Sequence, residues 1–314
     1  MLLLGAGRAM RAQETNRPEG APEFLLPIGA RSLAMGEAVA AAAIGSDALW
    51  WNPALVARGP REVALHLSKT PIIDADATAA VVYPIRDVGT VAFSVRYINE
   101  GAQEIDSASF EGTIVPTRLI YGLTFAAPFG TRLAAGVTAK LLDILVPCTG
   151  ACEALGATSG ASSTQTSGLY LGAQYLVTAD STLALGLAFR NLGFKLQFQD
   201  TPQADALPAR GDVGVLYSPK WALLPPGLRV RGAADVVTTL GPGTPGFRAG
   251  AEVSWLDRYQ GRLGYVVKGE TGSGPTFGVG FSTGKLQVDF AQVISDLSAQ
   301  AGPAATYLTL RYLF

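Results

Sequence analysis

The side chains in this 314-residue chain whose types could do chemistry are few. His66 is the only histidine, so triads built on a histidine base and multi-histidine metal sites have at most this one residue to use. It alternates with Val63, Leu65 and Leu67 along a strand-like run, which turns it away from their apolar face and makes it an interior contact. The glycine-rich stretch GETGSG at 269–274 lacks the following Lys-Ser/Thr and helix of a phosphate-binding loop, and reads as a connection. Cys148 and Cys152 are the only cysteines. In a chain exported to an oxidising compartment they are expected to pair as a disulfide that fixes one local turn. A metal site would need two further ligands, and none lies near. Arg96, Lys140, Arg190, Arg229, Arg231, Asp235, Arg248, Glu252, Arg262, Asp289 and Arg311 share one parity along alternating segments. They read as charges paired with one another in an interior, and no catalytic constellation or cofactor site emerges from them.

Those charges need a scaffold, and the composition restricts it. Only 16% of residues are charged, against about 25% in ordinary soluble proteins, while 48% are hydrophobic. Mean hydropathy is +0.27, and glycine occurs 37 times. A net charge of −1 gives no basic footprint for nucleic acid. No apolar run reaches the 18 residues of a membrane-spanning helix, and the alanine-rich stretch Ala38 to Ile44 is far shorter. The opening MLLLGAGRAMRAQE resembles the end of a secretory signal, with residues 1–12 as its remnant and the charged start placed upstream; the competing reading is a disordered start.

From Arg61 onward the chain divides into fourteen alternating segments: 61–69, 76–85, 88–98, 116–127, 133–143, 165–177, 182–192, 207–218, 227–237, 246–255, 258–267, 274–283, 285–294 and 304–314. Most have the length of a tilted membrane-crossing strand. One face is apolar, as at Val91, Phe93, Val95 and Tyr97, or Leu183, Leu185, Leu187 and Phe189. The other carries glycine, alanine, serine and the charges above. A sandwich also alternates, but its polar face would be lysine- and glutamate-rich surface. Connections sort by parity. IRD (85–87), PFGTR (128–132), TADS (178–181), LDRY (256–259) and STGK (282–285) are short; those near 99–115, 144–164, 193–206, 238–245, 268–273 and 295–303 are longer. SPKWALLPPG (218–227) is a long member of the short series. This sorting predicts an all-β, 14-stranded antiparallel transmembrane β-barrel, residues 61–314, with periplasmic turns and extracellular loops. Tyr83, Phe129, Tyr217, Trp221, Trp255 and Tyr259 lie beside the short turns, where an interfacial girdle belongs. The segment TYLTLRYLF at 306–314 places Tyr312 and Phe314 outward at the rim, and pairing with the first strand is required because lipid tolerates no open edge.

Fourteen strands enclose a cylinder about 28 Å across, too wide for wall side chains to fill. Residues 13–60 are too apolar for a solvated tail and are read as a plug with a helix-like stretch over Ser32 to Ile44, the alternative being a periplasmic arm docked elsewhere. Within this segment, FLLPIGARSLAMGEAVAAAAIGSDALWWNPAL resembles the N-terminus of the PorV/PorQ family, a branch of the FadL-like barrels. Gly29, Ala30, Arg31, Met35 and Gly36 match its first part, and Asp47, Ala48, Trp50, Trp51, Asn52, Pro53 and Ala54 its second. NLG (191–193), LP (207–208), Gly214 and Tyr217 extend the likeness along the chain. Glu37 stands where glycine is common, Leu55 where glycine usually follows Asn-Pro-Ala, and Asp212 where arginine is expected. The resemblance implies an outer-membrane accessory of type IX secretion. Its loops at 99–115, 144–164 and 193–206 would bind a large translocon barrel or cargo C-terminal signal domains. Tyr312 and Phe314 would form the C-terminal signal read by the barrel-assembly machinery. The alternative is a FadL-like transporter whose plug residues Leu25, Leu26, Leu33, Met35 and Trp50 line a site for a hydrophobic ligand.

Overall fold

The computed structural model describes residues 19–314 apart from 71–72, 108–109, 151–160, 198–203, 221–223, 242, 270–271 and 295–303. Alternation of branched and aromatic residues with small or charged ones produces long strands. In chain order they are β1 (Glu62–Thr70), β2 (Ile73–Ile85), β3 (Gly89–Asn99), β4 (Gln103–Ser107), β5 (Phe110–Ile114), β6 (Thr117–Phe129), β7 (Leu133–Gly150), β8 (Ala161–Leu176) and β9 (Leu183–Gly193). After these come β10 (Leu196–Gln197), β11 (Ala204–Asp205), β12 (Arg210–Tyr217), β13 (Leu228–Thr239), β14 (Gly246–Trp255), β15 (Tyr259–Gly269), β16 (Gly272–Ser282), β17 (Leu286–Val293) and β18 (Ala305–Leu313). Fourteen of them form a closed antiparallel barrel, as the sequence predicts. The wall runs β1-β2-β3-β6-β7-β8-β9-β12 and on through β13 to β18, and β18 returns to β1. The closing ladder pairs Val63 with Tyr312 and Leu67 with Leu308, and the Phe314 amide donates to the Arg61 carbonyl at 3.3 Å. Closure satisfies every edge that lipid would leave bare.

The outer surface is apolar over the full circumference. Phe93, Leu123, Leu185, Phe247, Leu263 and Val279 are all exposed, and Leu263 keeps 69% of its surface. Tyr83, Phe129, Tyr217, Trp255 and Tyr259 are exposed beside the short turns, and Trp255, Tyr259 and Phe281 pack as tilted rings 5.5–5.9 Å between centroids. Trp221 lies outside the described residues, as do Cys152 and the side chain of Cys148, and the whole of 1–18.

Several expected boundaries move. The described residues of 144–164 belong to strands, because β7 and β8 stay paired from Leu133↔Tyr175 up to Pro147↔Ala161. Backbone pairing continues above the apolar belt, where outward residues turn polar and the hydrophobic alternation stops. The 99–115 connection is the hairpin β4–β5, which extends the sheet by pairing Gly112 with Gly150 of β7. The 193–206 connection holds the two-residue ladder β10–β11, and strands β15 and β16 reach Gly269 and Gly272. Arg229, expected inside, is exposed at the rim and pairs with Asp257 at 2.6 Å. The helix-like stretch over Ser32 to Ile44 is helical only in α1 (Ala30–Ala34), since Gly36 and Glu37 both adopt positive φ, 62° and 58°.

Candidate functional site

Residues 19–60 lie inside the barrel. They form α1, α2 (Ala48–Trp51) and 3-10 turns at Pro22–Leu25, Gly45–Asp47 and Pro53–Arg58. Almost all of their side chains are buried. The plug has no ladder to the wall, so its own polar groups and the inward side chains must satisfy one another.

Toward the short-turn end this is done with ions. Arg31 Nε lies 3.0 Å from Glu252 Oε2, and Arg262 Nε donates to the same oxygen at 2.7 Å. Arg262 Nη1 reaches Asp289 Oδ1 at 2.7 Å, and Arg311 Nη1 reaches Asp289 Oδ2 at 2.7 Å. Arg311 then pairs with Asp47, whose Oδ2 accepts the Ser32 hydroxyl at 2.6 Å. Ser32 follows Arg31, so the chain of charges leaves the plug, crosses β14, β15, β17 and β18, and returns to the plug. Glu62 joins it from β1: Oε1 lies 3.5 Å from Arg311 Nε and accepts the Ser46 amide at 2.9 Å. His66 is buried here as a contact, with Ser46 Oγ at 3.0 Å and Thr309 Oγ1 at 3.1 Å.

A second group sits higher. Arg248 contacts Glu37 at 3.1 Å and Asp212 at 3.3 Å, and Arg190 donates to Asp212 at 2.7 Å. Both guanidinium groups lie 5.2–5.4 Å from the Trp51 ring centroid. Two of the three departures from the family pattern, Glu37 and Asp212, are therefore partners of one arginine. Glu37 holds a conformation that suits glycine and supplies a charge that glycine lacks.

The plug-motif residues each touch the wall or another part of the plug. Gly29, at φ 95°, packs where a Cβ would collide with the Asp47 carboxylate. Gly36 lies against the backbone of Ala249 and Tyr265, Trp51 Nε1 donates to the Ile28 carbonyl at 2.9 Å, and Asn52 Nδ2 donates to the carbonyls of Ala40 at 2.6 Å and Ala173 at 3.0 Å. Pro53 opens a 3-10 turn pressed onto Gly136 of the wall. Inward glycines mark such close approaches: Gly250 and Gly264 beneath Met35 and Gly36, Gly186 beneath Ala40.

A different lining appears toward the long-loop end, over β3, β6 and β7. Ile98, Ile120, Leu142 and Ile144 point inward and pack with Ala21 and Phe24 of the plug, with Ile73, Leu196 and Leu207 at the margin. Leu26 is half-buried against this cluster; Leu33, Met35 and Trp50 belong instead to the larger core around the plug. Below the cluster, Lys140 is buried with its ammonium 3.8 Å from the Tyr170 ring centroid and 4.6 Å from that of Trp50. Arg96 and Arg118 border it but are taken up by Asp76, Glu23 and Glu100, and Arg96 Nη1 also donates to the Leu26 carbonyl at 2.7 Å. Sequence reasoning missed this apolar patch. Its signal was present, since Leu141-Leu142 and Leu119-Ile120-Tyr121 are apolar on both parities.

No family model matches the chain, and no curated protein matches it. Solved structures do resemble it. The toluene transporter TbuX of Ralstonia pickettii aligns with a TM-score of 0.59 and 17% identity, over 92% of this chain and 99% of its own. The toluene transporter TodX of Pseudomonas putida gives 0.59 and 13%, over 92% and 99%. CymD, a monoaromatic hydrocarbon channel, gives 0.57 and 13%, over 92% and 98%. At these identities the likeness is one of fold alone, that of a closed 14-stranded antiparallel barrel.

Proposed function

We propose that this protein is an outer-membrane channel for hydrophobic small molecules. The observation that carries the reading is the apolar patch of Ile98, Ile120, Leu142 and Ile144, large aliphatic side chains clustered on adjacent wall strands toward the long-loop end and packed on Ala21 and Phe24. A barrel plugged only for support has no need of it, because inward positions facing water or ion pairs would be polar. An apolar solute entering from the long-loop side gains about 25 cal/mol per Å² of surface it removes from water there. Phe24 and the neighbouring plug residues form the floor it would meet. The toluene and hydrocarbon channels that share this fold support the same direction. The test is equilibrium binding of a monoaromatic hydrocarbon to the detergent-purified barrel. Saturable binding that weakens about tenfold in Ile120→Asn supports the reading; partition equal to that of empty micelles sinks it.

A second reading keeps the type IX accessory role implied by the plug motif. What favours it is the hairpin β4–β5, which carries the β7 side of the wall beyond the barrel as a surface for protein. Copurification of a large translocon barrel, lost on deleting 103–114, would support it; a barrel that purifies alone would not. The stacked, exposed pair Tyr312 and Phe314, 6.5 Å between centroids, is assigned to recognition by the barrel-assembly machinery in either case.

A further inference from the structure

The long-loop rim of the barrel is uneven. β7 and β8 stay paired up to Pro147↔Ala161, and β5 continues the sheet there by pairing with β7 from Gly112↔Gly150 to Ile114↔Cys148. β4 in turn pairs with β5 from Gln103↔Ile114 to Ser107↔Phe110. On the other side the wall stops low. Asn99 of β3 is already opposite Ala75, so only Ile73 and Asp74 of β2 remain beyond that pair, and β1 ends at Thr70. Gly101 lies against Asp74. From Gln103 onward β4 has no strand on its far side among the described residues.

A strand of five residues therefore ends the sheet with one edge bare. Successive residues of an antiparallel strand direct N–H and C=O to opposite sides, so alternate backbone groups of β4 meet β5 and the others meet no strand. Such an edge is a template for another strand. Charge decides which strand. Between Tyr97 and Thr117 the sequence has the carboxylates Glu100, Glu104, Asp106 and Glu111 and no lysine or arginine. Glu100 is taken by Arg118 at 2.8 Å, while Glu104 is exposed and has no ion pair among the described residues. A second copy of the chain is a poor occupant. Two β4 strands paired antiparallel about Ile105 set Glu104 opposite Asp106 twice, and like charges directly opposite are destabilising. A strand with lysine or arginine at alternate positions meets both acids with opposite charge.

We infer that the free edge of β4 is a docking site for an extended, basic segment of a partner protein, which adds to the sheet as a further strand. Backbone hydrogen bonds hold the segment, and the acids select it. Glu104 and Asp106 then act in two ways. They keep the edge from pairing with its own kind, and they admit a chain of opposite sign. The step in the rim, where β1 and β2 stop, is what leaves the edge uncovered. The inference rests on the hairpin β4–β5 serving as a protein surface; it requires neither a translocon nor transport.

The test is fluorescence anisotropy of a labelled peptide of alternating lysine and valine, titrated with the detergent-purified, full-length barrel, with folding of each variant checked by heat-dependent gel mobility. Wild type is expected to bind the peptide saturably. The same peptide with N-methylated backbone amides keeps its charge and loses the ladder, and should bind about tenfold more weakly. Glu104→Lys with Asp106→Lys should weaken the lysine peptide about tenfold and bind a glutamate–valine peptide in its place. Peptide binding by a barrel that copurifies with no translocon supports the inference and sinks only the type IX role. Equal binding of the N-methylated peptide overturns the inference, since charge alone would then hold it. Unchanged binding by the double variant overturns it too, because the edge would not be the site. So does a wild-type dimer that is lost on deleting 103–114, which would give the edge to a second copy of the chain.

Discussion

Around β14, β15, β17 and β18 the plug meets arginines and carboxylates in an unbroken ionic circuit; around β3, β6 and β7 it meets isoleucine and leucine. The first arrangement is directional and cannot be loosened in part, because removing any member strands a buried charge. The second is non-directional, and one apolar group can replace another at small cost. A plug held by a closed circuit of charges on one side, and on the other by apolar packing bordered by the Arg118–Glu23 pair and the Arg96–Leu26 hydrogen bond, offers its apolar contacts as the part that an apolar solute could replace. The difference between the two sides, more than the presence of a plug, is what the proposed channel function rests on.

The comparison can be broken most severely at Arg311. Arg311→Ala leaves Asp47, Asp289 and Glu62 without their shared partner, and a loss of about 3–5 kcal/mol is expected. It should be read as a lower unfolding midpoint together with new protease cleavage in the plug. On the apolar side, Lys140→Met replaces a buried ammonium held between rings by an apolar chain of similar length, and a midpoint within about 1.5 kcal/mol of wild type is expected. If the two substitutions cost the same, the sides do not differ.

A middle-sized effect is expected where plug and wall touch through glycine. Gly250→Val drives a side chain into the Met35 backbone, and overpacking of this kind costs about 1–3 kcal/mol. Urea unfolding followed by tryptophan fluorescence would measure it. A finer effect separates conformation from charge at Glu37. Both Glu37→Ala and Glu37→Gly remove the Arg248 contact, but only glycine relaxes the positive φ, so the glycine variant should be more stable by about 1 kcal/mol. Smallest of all is Asp180 in the β8–β9 turn. Hydroxyl hydrogen bonds from Thr182 and Thr178 hold its carboxyl below the ordinary value of 3.8. A depressed carboxylate contributes stability above the unfolded pKa and loses it as pH falls through the folded one. Asp180→Asn should therefore match wild type in strong acid and differ only slightly at neutral pH, as pH-dependent melting would show.

The wall was legible in the sequence because a period of two is imposed by lipid outside and a lumen inside, and Phe93, Leu185 and Phe247 obey it. Strand ends such as Gly150 and Ala161 were not, since pairing persists where lipid no longer selects the outward residue. The inward charges were visible by parity. Their partners were not, because Arg31 finds Glu252 and Arg311 finds Asp47 across most of the chain length. The conformation of the plug-motif residues was not legible; turns at Gly36 and Glu37 are set by contact with the wall and leave no periodic trace. The apolar patch was hidden by its chemistry, because Ile98, Ile120 and Leu142 look like the lipid-facing residues beside them.

The most direct test is flux. In vesicles carrying the purified barrel, uptake of a monoaromatic hydrocarbon should exceed that of barrel-free vesicles and fall about tenfold with Ile120→Asn, while a polar solute of similar size stays excluded from both. Uptake no faster than through bare lipid, or equally fast in wild type and Ile120→Asn, would contradict the account.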